Sequence, residues 1–204
     1  MPSEVVFFPG ATGAGDFWSP VAQRLPRDWR TQLLDWPGAG AVPAGTGIDG
    51  YEDLVGLAAA KVSDGSDVVA QSMGGVVAIG LALALPRKVR RLVLVATSGG
   101  LDVSGLGGSE WRREYRDEFP DAAAWVTGDQ PDYRPQLAAV EIPVALIWGA
   151  ADPISPVAVG QALQELLPSS EMHVIAGGTH ALARERPDEV AALIRRHLDA
   201  AEPV

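Results

Sequence analysis

The chain has 204 residues, 16 basic against 26 acidic side chains, and no cysteine. At roughly 100–200 residues per domain this is one domain over 1–204, and 47% apolar against 21% charged residues describes a buried core, not disorder. The net charge of −10 excludes a basic footprint for nucleic acid, and the missing cysteines exclude disulfides, thiolate metal sites and a cysteine nucleophile.

The first residues, Met1-Pro2-Ser3-Glu4-Val5-Val6, lack the basic start and long apolar stretch of a signal peptide. The longest apolar run, Gly74 to Leu85, falls short of the ~18 residues of a membrane span. A cytoplasmic protein with no membrane partner is the expectation.

In chain order, Val5-Val6-Phe7-Phe8 reads as a short strand stopped by Pro9-Gly10, and Phe17 to Leu25 as a helix. Arg30 to Leu34 is a second strand, ending at Asp35-Trp36-Pro37-Gly38. Tyr51 to Val62 places Leu54, Leu57, Ala58 and Val62 on one helical face. Asp67 to Ala70 is a strand running straight into a buried helix from Met73 to Leu85. Val89 to Ala96, apolar almost throughout, suits a strand covered on both faces. Val144 to Trp148 and Met172 to Ala176 are the last strands. They are followed by helices Pro156–Leu167 and Pro187–Ala200, each with proline in its first turn, where a missing N–H costs nothing. Strand–helix alternation of this kind predicts an α/β fold: a mostly parallel sheet of about six strands, helices on both faces.

Residues 99–140 break the rhythm with Gly99-Gly100, Gly107-Gly108 and a charged segment from Glu110 to Glu118. They read as a small insertion over the sheet. Its Trp111, Tyr115, Phe119 and Trp125 suit core packing or pocket lining equally; Trp111 and Trp125, with Trp18, are the pocket candidates. Arg112, Arg113 and Arg116 could meet an acidic substrate or carrier, though a solvated helix with Arg113 and Asp117 paired at i,i+4 explains them more simply.

The chemistry centres on Ala70-Gln71-Ser72-Met73-Gly74-Gly75, between a strand and a helix. A serine at a sharp strand-to-helix turn is lifted above the carboxyl edge of the sheet, and small residues two before and two after it let the backbone fold back. The Met73 N–H, at the helix start, points where an oxyanion would form beside Ser72. A serine needs a base to take its proton. Of the three histidines, His173 falls in a strand and His197 in an amphipathic helix. His180, in Gly177-Gly178-Thr179-His180, follows the last strand and shares Ser72's edge, so it is the candidate base. The base needs an acid to fix its tautomer. Asp152, in Trp148-Gly149-Ala150-Ala151-Asp152-Pro153, emerges at the same edge; Asp102, after the Val89–Ala96 strand, competes.

With these motifs in the order Ser72, Asp152, His180, the chain resembles the α/β-hydrolase fold family over nearly its whole length. Phe8-Pro9-Gly10-Ala11 is similar to that family's first-strand loop, with Pro9 where histidine is usual. Asp35-Trp36-Pro37-Gly38-Ala39-Gly40 resembles its D-x-P-G-x-G turn, and Gly178-Thr179-His180 with Glu185-Arg186-Pro187 its histidine loop. The resemblance implies a second oxyanion donor at the Ala11 N–H. It also implies a serine esterase acting on a small or medium carboxylic ester, without metal or organic cofactor. Family members that work as lyases, synthases or perhydrolases share the same triad, and a ligand-binding pseudoenzyme would keep the pocket with Ser72 a mere turn residue. Family members typically carry two further strands before the one at Val5, and often a larger cap. A six-strand sheet under a small cap, with a relatively open site, is therefore expected.

Overall fold

The computed structural model describes residues 4–201; the Met1–Ser3 part of the leader reading lies outside them. Six parallel strands form one sheet: β1 (Val5–Phe8), β2 (Thr31–Leu33), β3 (Ser66–Gln71), β4 (Val89–Val95), β5 (Val144–Gly149) and β6 (Ser170–Ile175), in the order β2-β1-β3-β4-β5-β6. The expected α/β architecture is therefore present, with every strand pairing parallel.

Alternate side chains along each strand enter two separate cores. Val6, Phe8, Val68, Ala70, Leu92, Leu94 and Leu146 face helices α2 (Tyr51–Lys61), α3 (Met73–Ala84) and α5 (Val157–Leu166). Val5, Phe7, Val69, Val93, Val95 and Ile147 face α1 (Ser19–Ala22), α6 (Leu182–Glu185) and α7 (Pro187–Leu198). Burial on both faces explains why these strands read as apolar runs without alternation. Helix α3 is buried on nearly every side from Met73 to Ala82, as its unbroken apolar sequence requires.

The segment expected to form one helix over Phe17–Leu25 is shorter. Gly15–Trp18 is a 3₁₀ turn and α1 is a single turn opened by Pro20. Tertiary packing overrides the local pattern there: the Trp18 indole donates to the Phe8 carbonyl at 3.0 Å, and its ring packs against Phe7 and Phe17.

Between β4 and β5 the chain leaves the sheet. The insertion holds one short helix, α4 (Arg112–Glu118), among 3₁₀ turns at Ser104–Leu106, Ala124–Thr127 and Arg134–Ala139. Trp111, Tyr115 and Phe119, spaced at i, i+4 and i+8, pack edge-on and tilted in sequence with ring centroids 5.6 and 5.1 Å apart. Arg112 turns back to Glu110 and lies over the Trp111 ring.

No helix among the described residues is long and apolar enough to cross a membrane. The strand order reverses at β1, with β2 on one side and β3 on the other. In open parallel sheets, ligands settle at the carboxyl ends of the strands beside such a reversal.

Candidate active site

Ser72 stands at that reversal, between β3 and α3, with φ 51° and ψ −123°. Positive φ at a residue carrying a Cβ is strained, by about 1–3 kcal/mol, and it persists only where surrounding bonds enforce it. Three bonds do so. The Ser72 N–H donates to Val95 O at 3.0 Å, and the Ser72 carbonyl accepts from Gly75 N–H at 2.9 Å and from the Thr97 hydroxyl at 2.6 Å. The close approach of α3 to β1 also requires the glycine two after the serine. A Cβ on Gly74 would lie 2.3 Å from Pro9 O and 2.8 Å from Phe8 O.

His180 follows β6 and reaches over the sheet edge, its Nε2 3.0 Å from Ser72 Oγ. Its Nδ1 is 2.8 Å from Oδ2 of Asp152, on the loop after β5. The Asp152 side chain is buried, and its other oxygen, Oδ1, accepts the N–H groups of Ile154 at 2.8 Å and Ser155 at 3.0 Å. The two loops are pressed together, since a Cβ on Gly149 would fall 2.2 Å from Gly178 O. With one oxygen held by backbone, the carboxylate has a single orientation to offer the imidazole.

Asp102 is engaged differently. It is exposed, and its Oδ1 accepts from the hydroxyl and N–H of Ser104 at 2.6 and 3.0 Å, an Asx turn that holds its carboxyl below the usual range. The Asp152 and Asp102 alternatives left open by sequence thus separate: the structure brings Asp152, not Asp102, to His180.

The two candidate oxyanion amides follow the neighbouring strands β1 and β3, and the β1 loop lies against the serine, a Cβ on Gly10 falling 3.1 Å from Ser72 Cβ. Met73 N–H opens α3, ahead of any intrahelical acceptor. Ala11 occupies the second place of a turn closed by Gly13 N–H on Gly10 O at 3.0 Å, so that turn does not use its own N–H. Indoles grip the backbone leading into this turn: Trp18 donates to Phe8 O, and Trp36 donates to Pro9 O at 2.8 Å. Pro9, where the resemblance would place histidine, thus serves as an acceptor through its carbonyl.

A cavity of about 540 Å³ opens beside Ser72, lined among others by Met73, Leu101, Trp111, Gln130 and Ile154. Of the pocket candidates, Trp111 lines it. Trp18 does not, being fully buried on the opposite face of the sheet. Trp125 does not line it either; it is in edge contact with Tyr51 at an adjoining depression that shares Asp129 and Gln130 with the cavity. Aromatic composition alone could not separate these three.

Sequence reasoning missed the residues that brace the site. Thr97 and Ser155 are joined across β4 and β5: the Ser155 hydroxyl donates to Thr97 O at 3.1 Å and accepts from the Trp148 indole at 3.2 Å. Gln71 donates to the His180 carbonyl at 3.3 Å. Only their position next to motif residues hinted at this, because a brace has no spacing signature of its own.

Comparison with known proteins gives a consistent picture. A model of the alpha/beta hydrolase family matches residues 5–193. A pimeloyl-[acyl-carrier protein] methyl ester esterase from Neisseria meningitidis is 27% identical over 216 aligned residues, covering 84% of this chain and 69% of its own. The structure of an esterase from Rhodococcus sp. ECU1013 superposes with a TM-score of 0.78 at 21% identity, over 98% of this chain and 92% of its own. That of a thermophilic esterase from Thermogutta terrifontis gives 0.77 at 22% identity, over 96% and 89%.

Proposed function

The chain belongs to the alpha/beta hydrolase family, and from that membership we propose that it is a serine hydrolase cleaving a small or medium carboxylic ester through an acyl-enzyme on Ser72. The observation that carries this reading is the unbroken hydrogen-bond path from Ser72 Oγ through His180 to Asp152, set at the strand-order reversal beside a cavity. Curated relatives that act as methyl ester esterases support it.

In this reading Ser72 attacks the ester carbonyl while His180 Nε2 takes its proton. Asp152 holds the proton on Nδ1 and stabilises the imidazolium. The Met73 and Ala11 amides bind the tetrahedral oxyanion; one such donor is worth ~10²–10³ in rate. His180 returns its proton to the leaving alcohol, then activates water to release the acyl group. Residues 99–140 serve as the cap, with Trp111 against the substrate. A cavity of about 540 Å³ suits a small ester, since small-molecule sites run from ~300 to ~1,000 Å³.

The test is turnover of short chromogenic esters against a Ser72→Ala control. Turnover at the control's rate sinks the esterase reading. Covalent labelling of Ser72 by a fluorophosphonate without any ester turnover points instead to a non-hydrolytic lyase, synthase or perhydrolase. No labelling at all points to a binding pseudoenzyme.

A further inference from the structure

Tyr115, on α4 of the insertion, buries its ring and carries its hydroxyl down to the backbone beside the site. The hydroxyl donates to the Ala11 carbonyl at 2.8 Å and accepts from the Gly40 N–H at 2.6 Å. Both of its hydrogen-bonding roles are thus spent on backbone, in two different loops. Those loops are already interlocked: a Cβ on Gly13 would meet Ala39 O at 2.3 Å, and one on Gly40 would meet Thr12 O at 2.0 Å. The Trp36 N–H adds a bond to Gly13 O at 2.8 Å.

Ala11 sits between two peptide planes. The plane carrying its N–H, the proposed oxyanion donor, is fixed from the Gly10 side by the Gly13 N–H to Gly10 O bond at 3.0 Å. The plane carrying its carbonyl is fixed by Tyr115, at 2.8 Å. Without Tyr115 the carbonyl plane of Ala11 loses this anchor, and the turn that sets the N–H plane is held by the Gly13 bond alone. On the far side, the Tyr115 ring contacts Trp111, which lines the cavity.

We infer that Tyr115 is a positioning residue: it clamps the oxyanion loop in the geometry that turns Ala11 N–H toward the transition state, and so ties the insertion to the reaction. The inference rests on the proposed roles of Ser72 and of the Ala11 amide. Its effect falls on the transition state, because the clamped amide meets developing negative charge and not the ground-state ester.

The experiment compares Tyr115→Phe with wild type in ester turnover and in the rate of fluorophosphonate labelling, whose transition state also places charge on an oxygen. Tyr133→Phe, which removes another hydroxyl from the same insertion, is the control. Expected are a fall in kcat of roughly 10-fold or more with KM nearly unchanged, a parallel fall in labelling rate, and wild-type kcat in Tyr133→Phe; a displacement of about 1 Å at a catalytic group can cost ~10²-fold. Wild-type kcat and labelling rate in Tyr115→Phe overturn the inference, whatever happens to its melting temperature. A rise in KM alone overturns it too, since it would make Tyr115 a binding residue. If wild type labels but turns over no ester, the ester reading fails and Tyr115 is judged by labelling. If wild type does neither, the proposed nucleophile and the clamp fall together.

Discussion

The Thr97 hydroxyl donates to the Ser72 carbonyl at 2.6 Å while accepting from Gly99 N–H at 3.1 Å. This one side chain, two residues past β4, supplies one of the three bonds that hold the strained turn after the neighbouring strand β3. Thr97→Val keeps the shape and removes the bond, leaving Ser72 O only its Gly75 donor and Gly99 N–H without an acceptor. A buried polar group left unsatisfied costs ~1–3 kcal/mol. The expected result is a lower urea midpoint together with a kcat reduced about 10-fold, because Ser72 Oγ no longer has one fixed approach to His180. Wild-type kcat in a destabilised Thr97→Val protein would show that the turn is held without Thr97.

Asp152→Asn separates orientation from folding. Asp152 Oδ1 accepts two backbone N–H groups, and an asparagine keeps them by placing its oxygen there. Its amide NH₂ then faces His180 Nδ1 and obliges that nitrogen to accept, which puts the imidazole proton on Nε2, toward Ser72. A histidine in that tautomer cannot take the serine's proton. The expected loss in kcat is about 10³–10⁴-fold, with a melting temperature close to wild type. Asp152→Ala should lose both, since two buried amides are then orphaned. A variant Asp152→Asn with a tenth of wild-type activity would remove Asp152 from the proposed triad.

How far these relationships could be read from the amino-acid string depends on their kind. Helix α3 is apolar throughout and strand β4 is so apart from Arg90 and Arg91, and the serine, acid and histidine loops each follow a strand, so topology alone brings them to one edge. For the acid, Asp152 has a competitor in Asp102 because both follow strands. What distinguishes them in the structure is the 2.8 Å approach of Asp152 Oδ2 to His180 Nδ1, where Asp102 turns to Ser104 instead, which is a fact of loop conformation. Trp18 was misplaced for a similar reason: its indole bond to Phe8 O joins residues ten apart across a 3₁₀ turn that no periodicity marks. The contact from Tyr115 to Ala11 spans 104 residues and leaves no trace in local sequence.

Gly74→Ala sets two backbone effects against each other. Alanine favours a helix over glycine by ~1 kcal/mol. Its Cβ, however, would lie 2.3 Å from Pro9 O and 2.8 Å from Phe8 O, atoms fixed by the Trp36 and Trp18 indoles. Overpacking against rigid backbone costs ~1–3 kcal/mol or more, so the net expectation is destabilisation. Any relief moves α3 away from β1 and separates the Met73 and Ala11 amides, so activity should fall further than stability does. Equal or higher stability by chemical denaturation would show that the helix can retreat freely.

Two groups at the opposite end of the sheet from Ser72 titrate in one pH window with opposite signs. Burial, with the charge of Arg91 adding to it, pushes His197 down to about 4 from 6.5. Its stability contribution is therefore complete above pH 6.5 and is lost as pH falls toward 4, when the unfolded chain takes up the proton first. Burial raises Asp67 to about 6 from 3.8, against the opposing pull of the Arg90 guanidinium 2.6 Å away. Its contribution has the reverse sign: it is present near pH 3.8 and is lost as pH rises through 6. Each shift is worth on the order of 1–3 kcal/mol, so these two contributions partly cancel between pH 4 and 6. His197→Leu should expose the Asp67 slope, raising stability at pH 4.5 relative to pH 7 compared with wild type. Asp67→Asn should expose the His197 slope, with stability falling on acidification. Urea midpoints at pH 4.5, 5.5 and 7 measure both, and identical pH profiles for the two variants would break the assignment.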